Sequence, residues 1–217
     1  MRAVEDKAPI EFLVRSRVLL RSGAAHRAVK ALSVPIVDVS PEAFRTLQIA
    51  PRASGVGVVC RQVLVQPGSG LWLAARSIRN PGNLGTLLRT AEAVGAEGLI
   101  CVGGRLDPYD PKVVRATMGG HFGLKFARMG AGQLRSWARD RGAQIVGTAA
   151  DAPARWDQHR FARTTVVVVG DEGEGMVSWV RSLCTHTVSL PMRGGADSLN
   201  VAVAGSVVLY EVLRQQA

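Results

Sequence analysis

The chain has 217 residues, 47% of them hydrophobic, with 27 Lys and Arg against 17 Asp and Glu, a formal charge of +10. This composition excludes a disordered chain, and the longest purely aliphatic run, Val166–Val169, is far too short to span a bilayer. An excess of cations of this size favours a polyanionic partner such as nucleic acid, because cations that pair with phosphates release condensed counterions.

Residues 1–66 are predicted to form a small α/β unit. Ser40 followed by Pro41 is typical of a helix start, with the serine as N-cap and the proline at the first helical position. Residues 66–70, rich in Gly, Pro and Ser, are predicted to be a linker. The other predicted elements are helices at roughly Ile10–Leu20 and Ala24–Leu32 and strands at Val34–Val39 and Val56–Cys60.

Residues 67–217 are predicted to form a larger α/β domain. The β-branched run Thr164–Val169 is expected of a strand buried on both faces. Strands and helices alternate along this part, which indicates a mostly parallel sheet with helices on both faces. The predicted strands are Leu71–Ala75, Gly98–Val102, Gln144–Thr148, Thr164–Val169 and Thr185–Leu190, and the predicted helices are Leu84–Val94, Val113–Met118, Gly132–Arg141 and Ser198–Arg214.

Charge separates the chain into two functional parts. Residues 1–66 hold 10 basic and 5 acidic residues, residues 67–169 hold 14 and 7, and residues 170–217 hold 3 and 5. We therefore expect a nucleic-acid surface on the first three quarters and a small-cofactor site near the end, although a soluble protein from an Arg-rich proteome is the plainer alternative. The three cysteines are odd in number and widely spaced, which predicts neither disulfide nor zinc site and fits a reducing cytoplasm.

The first of three motifs is the segment 80–91, N-P-G-N-L-G-T-L-L-R-T-A, between a predicted strand and a helix. Asn83 is placed at the helix start and Arg89 six residues later, about 1.7 turns on, so the two side chains do not stack directly. Both can still face one cleft if Asn83 lies at an irregular helix start. The alternative is an asparagine N-cap followed by an exposed arginine.

The second motif, residues 169–176, V-G-D-E-G-E-G-M, follows a strand directly. Its glycines let backbone amides approach a ligand closely. The dinucleotide pattern G-x-G-x-x-G is absent and the acidic residues would repel a pyrophosphate, so the segment favours a cationic or zwitterionic ligand such as a sulfonium-bearing cofactor. A tight strand-to-helix turn is the alternative.

The third motif, residues 190–204, L-P-M-R-G-G-A-D-S-L-N-V-A-V-A, passes from a strand through a glycine loop into a helix. Either Ser198 or Asp197 is predicted to cap that helix. Small residues, Ala202, Ala204 and Gly205, allow close backbone packing. A plain capped helix is again the alternative.

Together, in this order and at this spacing, the three segments resemble the motifs of the SpoU-type (TrmH-like) branch of the SPOUT RNA methyltransferases. The resemblance covers residues 71–216, and the segment 110–119, D-P-K-V-V-R-A-T-M-G, is similar to the connecting segment of that family. Residues 1–66 are similar to the small substrate-binding domain that many members carry, shortened at its start. The resemblance implies a deep trefoil knot at the C-terminal end and a homodimer to which the last helix contributes.

The resemblance also implies a function. Members transfer a methyl group from S-adenosyl-L-methionine to a ribose 2′-hydroxyl, here more in keeping with rRNA than tRNA, and antibiotic resistance is among the roles that relatives have. Cytoplasmic location and independence of metal follow, and the four histidines have no ligand spacing. The matching cofactor positions are Gly170, Glu172, Gly175, Leu190, Met192, Ser198 and Leu199.

The catalytic roles are carried over in the same way. Arg89 acts on the 2′-hydroxyl, either as an unusual base or by holding phosphate and hydroxyl in line. Asn83 orients the ribose or Arg89, Ser198 and Asn200 help to fix Arg89 and the cofactor, and Glu172 supports the pocket. The expected RNA contacts are Arg89, Lys112 and Arg115.

Two rival hypotheses remain at this point. One is a catalytically silent RNA-binding protein that keeps the fold. The other is a nucleotide-binding α/β enzyme that uses NAD or ATP, which the missing G-x-G-x-x-G and G-x-x-x-x-G-K-[ST] patterns argue against.

Overall fold

The computed structural model describes residues 2–47, 55–170 and 177–217. The chain divides into two compact units, Met1–Val63 and Leu64–Ala217. No helix in the described ranges is long and apolar enough to cross a membrane.

The first unit is built on a mixed three-stranded sheet in the order β2-β1-β3. β1 runs parallel to β2 and antiparallel to β3. Its small core includes Leu13, Val14 and Phe44. The elements are α1 (Arg2–Glu5), β1 (Ile10–Arg15), α2 (Gly23–Ala31), β2 (Ile36–Asp38), α3 (Pro41–Leu47) and β3 (Val56–Cys60).

Most elements predicted in this unit are confirmed, including the start of α3, where the Ala43 N–H donates to Ser40 Oγ at 3.2 Å. The predicted helix over Ile10–Leu20 is wrong, because its first half is strand β1. Three of its six residues, Ile10, Phe12 and Val14, are aromatic or β-branched, and Leu13 is paired on both sides, with Ile36 and with Val58. Pairing with two neighbours outweighs a weak helical spacing.

The second unit is built on a seven-stranded sheet in which all neighbouring strands run parallel, in the order β6-β5-β4-β9-β7-β10-β8. Parallel strands need crossover connections, and helices supply most of them. The strands are β4 (Leu71–Ala75), β5 (Gly98–Val102), β6 (Lys125–Met129), β7 (Gln144–Thr148), β8 (Ala154–Arg155), β9 (Thr165–Val168) and β10 (His186–Ser189). The helices are α4 (Pro81–Ala93), α5 (Pro111–Ala116), α6 (Ala131–Arg141), α7 (Ser178–Leu183) and α8 (Val201–Gln216), with a 3₁₀ turn at Gly120–Gly123.

Two hydrophobic cores lie on opposite faces of this sheet, as alternation along β4 illustrates. Leu71 and Leu73 join the core that α4, α5 and α8 cover, whereas Trp72 and Ala74 join the core that α6 and α7 cover. All five β4 residues are therefore buried. The predicted parallel sheet with helices on both faces is confirmed.

The strands β6 and β8, the helix α7 and the 3₁₀ turn of this unit were not predicted. Edge strand β6 carries Lys125 and Arg128 beside buried Phe126 and Ala127, and these charges conceal the strand pattern. Helix α4 begins at Pro81, three residues earlier than predicted, and α8 begins at Val201, three residues later.

Candidate active site

The three motifs follow strands whose carboxyl ends share one edge of the parallel sheet. β4 pairs with β9, and β7 lies between β9 and β10. The loops after β4 and β10, and Gly170 after β9, therefore lie at the same edge, where open α/β sheets bind ligands. Predicted site residues Glu172 and Gly175 lie outside the described residues.

The first motif starts helix α4 with an asparagine cap followed by proline. Asn80, not Asn83, is the N-cap, and its Oδ1 accepts from the Gly82 N–H at 2.8 Å. Pro81 occupies the first helical position, where no N–H is needed. Asn83 therefore is not the N-cap of α4 and lies half-buried in the first turn.

Asn83 and Asn200 join the first motif to the third. The Asn200 Nδ2 donates to Asn83 Oδ1 at 3.1 Å across 117 positions of sequence. The Asn200 Oδ1 accepts from the N–H groups of Ala202 at 2.8 Å and Val203 at 3.4 Å, so Asn200 caps α8. This corrects the predicted cap at Ser198 or Asp197. Because the cap uses the oxygen, the amide nitrogen is left to face Asn83.

Helix α8 packs against α4 at very short range. A Cβ added to Gly205 would lie 2.6 Å from Leu87 Cδ2 and 2.8 Å from Val169 Cγ1, so any side chain there would force Leu87 and Val169 to move. One turn of α4 further on, the Ser206 hydroxyl donates to Thr90 Oγ1 at 2.9 Å. These contacts fix the first motif, the end of β9 and the third motif relative to one another.

Arg89 leaves α4 in a different direction from Asn83. Six positions of an α-helix turn a side chain by about 120° from the starting direction, counted the short way. The Arg89 backbone faces Gly120, whose added Cβ would be 3.6 Å from Arg89 Cα. The side chain is exposed and makes no hydrogen bond or ion pair with the described residues. Its guanidinium is therefore available to a ligand.

Helix α5 carries the predicted RNA contacts and packs closely on α4. A Cβ at Gly85 would overlap the Ala116 side chain. The Asp110 carboxylate caps α5 by accepting from the Lys112 N–H at 2.7 Å. The side chains of Lys112 and Arg115 are exposed.

The loop between β10 and α8 leaves its backbone groups unused. Leu190 and Met192 are half-buried, whereas Ser198 and Leu199 are exposed. Among the described residues, no backbone or side-chain hydrogen bond involves residues 192–199. Asn200 contacts Asn83 and not Arg89, so any influence of Asn200 on Arg89 passes through α4.

The histidines do not form a metal site in the described part of the chain, where no three potential ligands cluster. His121 is buried and stacks on Phe126 with ring centroids 4.5 Å apart. Burial lowers the pKa of His121 to about 4, so it is neutral under ordinary conditions. His121 belongs to the 3₁₀ turn that faces Arg89, and its ring packs there against Tyr109 and Phe126.

Sequence reasoning missed the Asn80 cap and the Thr90–Ser206 pair, whereas the close packing predicted at Gly205 is confirmed. The Asn80-Pro81 dipeptide carried a readable signal, because a capping residue before proline is a typical helix start. The residues that contact Gly205 were not predicted, because they depend on how α8 is placed on α4.

Comparison with known proteins identifies relatives of this chain. A family model described as the SpoU rRNA Methylase family matches residues 70–210. A 23S rRNA (uridine(2479)-2′-O)-methyltransferase of Streptomyces viridochromogenes is 39% identical over 143 residues, which cover 63% of this chain and 50% of that relative. The match thus spans about half the length of that relative. The 23S rRNA (guanosine-2′-O-)-methyltransferase RlmB of Vibrio vulnificus is 27% identical over 234 residues, which cover 100% of this chain and 94% of that relative.

A solved structure agrees with the whole described fold. The SpoU methyltransferase AviRb of Streptomyces viridochromogenes, in complex with the cofactor AdoMet, superposes with a TM-score of 0.86 at 31% identity. The superposition covers 99% of this chain and 86% of AviRb.

Proposed function

The chain belongs to the SpoU rRNA methylase family, and from this membership we propose that it transfers a methyl group from S-adenosylmethionine to a ribose 2′-hydroxyl of ribosomal RNA. The contact of Asn83 with Asn200 carries the proposal. It ties the helix that bears Arg89 to the loop that follows β10. The Arg89 guanidinium and the loop between β10 and α8, both available to ligands, are thus held in one arrangement.

Arg89 is the residue that acts on the substrate. A 2′-hydroxyl is a poor nucleophile until its proton is removed or oriented. A guanidinium binds its proton tightly but offers a planar fork of donors that suits phosphate. Arg89 holds a phosphate and the 2′-hydroxyl in line for attack, or accepts the proton as an unusual base. The absence of any partner for Arg89 among the described residues supports a role toward substrate rather than in the fold.

The loop between β10 and α8 suits the cofactor. When bound, S-adenosylmethionine supplies an electrophilic methyl group. The unused backbone groups of residues 192–199 can hydrogen-bond its polar parts, and half-buried Leu190 and Met192 can contact its apolar parts. We assign Ser198 and Leu199 to the same pocket, with Gly170, Glu172 and Gly175 from the second motif. Asn200 and Asn83 position the two sides of the site.

The RNA substrate meets the basic part of the chain. Lys112 and Arg115 are exposed on α5, which is held against the helix that carries Arg89. The first unit, with 10 basic and 5 acidic residues in positions 1–66, is assigned to substrate binding. We assign ribosomal RNA in preference to tRNA because both methyltransferases named above act on 23S rRNA. A cytoplasmic location accompanies this substrate.

Helix α8 supports a homodimer. Val203 is 47% exposed, Tyr210 54% and Leu213 36%, and together with Leu199 they share the outer side of α8 and its start. Exposed apolar side chains that lie together on one helix face mark an interaction surface. We assign this surface to a second copy of the chain, and we assign the trefoil knot of the family to the segment that contains it.

Methyl transfer from labelled S-adenosylmethionine to protein-free 23S rRNA, followed by mapping of ribose methylation, tests the function. Arg89→Ala should lower transfer about 100-fold or more, because in-line positioning is lost. Cofactor affinity, measured by calorimetry, should change by no more than a few-fold.

The matched control is Arg135→Ala, which removes an exposed arginine of α6 on the other face of the sheet. It should keep full transfer. Full turnover by Arg89→Ala would refute the assignment, and binding of the cofactor without transfer by the unmodified chain would favour the silent RNA-binding alternative.

A further inference from the structure

The loop that follows β5 is held in place by an arginine from the neighbouring strand. Arg128 donates from one guanidinium nitrogen to the Gly103 carbonyl at 3.0 Å and from the other to the Leu106 carbonyl at 3.1 Å. The Gly103 N–H in turn donates to the Met129 carbonyl at 2.9 Å. Three hydrogen bonds to β6 therefore fix both ends of a four-residue loop.

The end of this loop and the chain after it are fixed by packing as well. Leu106 is buried, and the Tyr109 ring packs against His121 and Phe126 with centroids 5.3 and 5.2 Å away. The Asp107 carboxylate accepts from the Tyr109 N–H at 2.9 Å. An exposed loop that contains two glycines is normally mobile, whereas this one is anchored on both sides.

The fold itself does not require glycine at position 104. A Cβ there would meet no atom within 4 Å, and its backbone does not have a positive φ, unlike that of Gly103 at φ 80°. The missing side chain leaves the loop backbone open to approach from outside. Arg105 follows directly, exposed, with no hydrogen bond or ion pair to the described residues.

The loop lies at the ligand-binding edge of the sheet. β5 is the direct neighbour of β4 and runs parallel to it. The loop 103–106 after β5 therefore begins about 5 Å from the loop after β4, which leads to Asn80. The nearby carboxylates of Asp107 and Asp110 are engaged with backbone N–H groups, while Arg105, Lys112 and Arg115 are exposed.

We propose that Arg105, held in place by the Arg128 clamp on loop 103–106, binds a backbone phosphate of the RNA substrate, and that the open backbone at Gly104 lets the RNA approach it. This inference rests on the proposed function for the identity of the RNA. Arg105 contacts the substrate directly, and Arg128 acts through it as a positioning residue. Lys112 and Arg115 contact other phosphates further along the RNA.

Binding of protein-free 23S rRNA, measured over a series of salt concentrations, tests Arg105. Arg105→Ala should weaken binding about 3- to 10-fold at low salt and reduce the slope of log affinity against log salt by about 0.7 to 0.9, as loss of one phosphate contact requires. KM for RNA should rise by a similar factor while kcat and cofactor affinity are unchanged. Arg105→Lys should restore the slope, because the charge is kept.

Arg128 provides the sharper test. Arg128→Ala should weaken RNA binding in the unmodified chain but add little in the Arg105→Ala background, since its effect passes through Arg105. Gly104→Leu should weaken binding by obstruction, whereas Gly132→Leu, at another glycine with no atom within 4 Å, should not. Additive losses from Arg105→Ala and Arg128→Ala, or a salt slope unchanged by Arg105→Ala, would overturn the proposal.

Failure of the proposed function gives a different result. In that case the unmodified chain transfers no methyl group to 23S rRNA, while the salt slope of binding still reports on Arg105. If transfer proceeds normally and Arg105→Ala binds RNA like Arg135→Ala, only the Arg105 inference fails.

Discussion

The two units bury their strands to very different extents. In the larger unit every residue of β4 and β5 is buried, whereas in the smaller one all three residues of β2 are exposed. A sheet covered on both faces gains far more hydrophobic stabilisation than a small sheet whose edge strand lies open. We therefore expect the larger unit to be the more stable of the two.

The amino-acid composition allows the two units to be followed separately. All four tryptophans and both tyrosines lie after residue 63. Tryptophan fluorescence therefore reports unfolding of the larger unit alone, and the smaller unit can be followed by calorimetry as a separate transition.

The largest effect is expected from Leu87→Ala. Leu87 is fully buried and fills the space in front of Gly205, so the shorter side chain leaves a cavity between α4 and α8. The free energy of unfolding of the larger unit should fall by about 3 kcal/mol in urea titrations followed by tryptophan fluorescence.

The matched control is Leu47→Ala in the smaller unit, where the leucine is 62% exposed. The same chemical change there should alter stability by no more than about 0.5 kcal/mol. Equal effects of the two variants would remove the contrast between the units.

Asn200→Ala should have an intermediate effect on stability and a larger one on activity. Loss of the α8 cap should lower the free energy of unfolding of the larger unit by about 1 kcal/mol. Loss of the bond to Asn83 should also reduce methyl transfer, because α4 is no longer tied to the cofactor loop. Urea titrations and transfer assays on the same preparations measure the two effects.

A double-mutant cycle separates the cap from the bond. Asn200→Ala and Asn83→Ala should be non-additive in transfer, since each removes the same hydrogen bond. Asn80→Ala removes a cap of the same type from α4 and should be additive with Asn200→Ala. Additive losses of transfer from Asn83→Ala and Asn200→Ala would show that the hydrogen bond between the two residues does not contribute to methyl transfer.

The fold was more predictable from sequence than the geometry of the site. The bounds of β3, β4, β5 and β7 were predicted without error, because apolar runs bounded by polar or glycine residues mark them clearly. β1 was predicted as a helix and β6 was missed, since strand pairing decides the first and charged residues conceal the second. Such elements depend on neighbours that are distant in sequence.

The site required information that no local pattern contains. The resemblance to a family grouped Asn83 with Asn200 but did not predict the bond between them, which depends on placing α8 against α4 within a fraction of an ångström. No local pattern predicts the Arg128 clamp either, because the two carbonyls that accept from Arg128 lie 25 and 22 positions away in the loop after β5.

The smallest effect is expected at the surface of the smaller unit, from Asp38→Asn. The Asp38 carboxylate accepts from Arg15 at 2.7 Å and from Arg17 at 2.8 Å, and these hydrogen bonds hold the pKa of Asp38 well below its usual range. A carboxylate whose pKa is lower in the folded state stabilises that state above the pKa of the unfolded chain, near 4. Because the pair is solvent-exposed, the gain is small, below that of the Asn200 cap.

The pH dependence of that effect distinguishes the ion pair from a change in packing. At pH 7 calorimetry should show the transition of the smaller unit at a slightly lower temperature in Asp38→Asn than in the unmodified chain. The difference should shrink as the pH falls below about 4, because the unfolded chain then takes up a proton at Asp38 while the folded chain still holds the carboxylate ionised, and it is lost fully only once the folded carboxylate is protonated as well. Glu11→Gln, on the same strand as Arg15 but without an ion pair to the described residues, should have no such effect. A difference at Asp38 that persists at the lowest pH would mean that shape, rather than charge, holds β1 to β2.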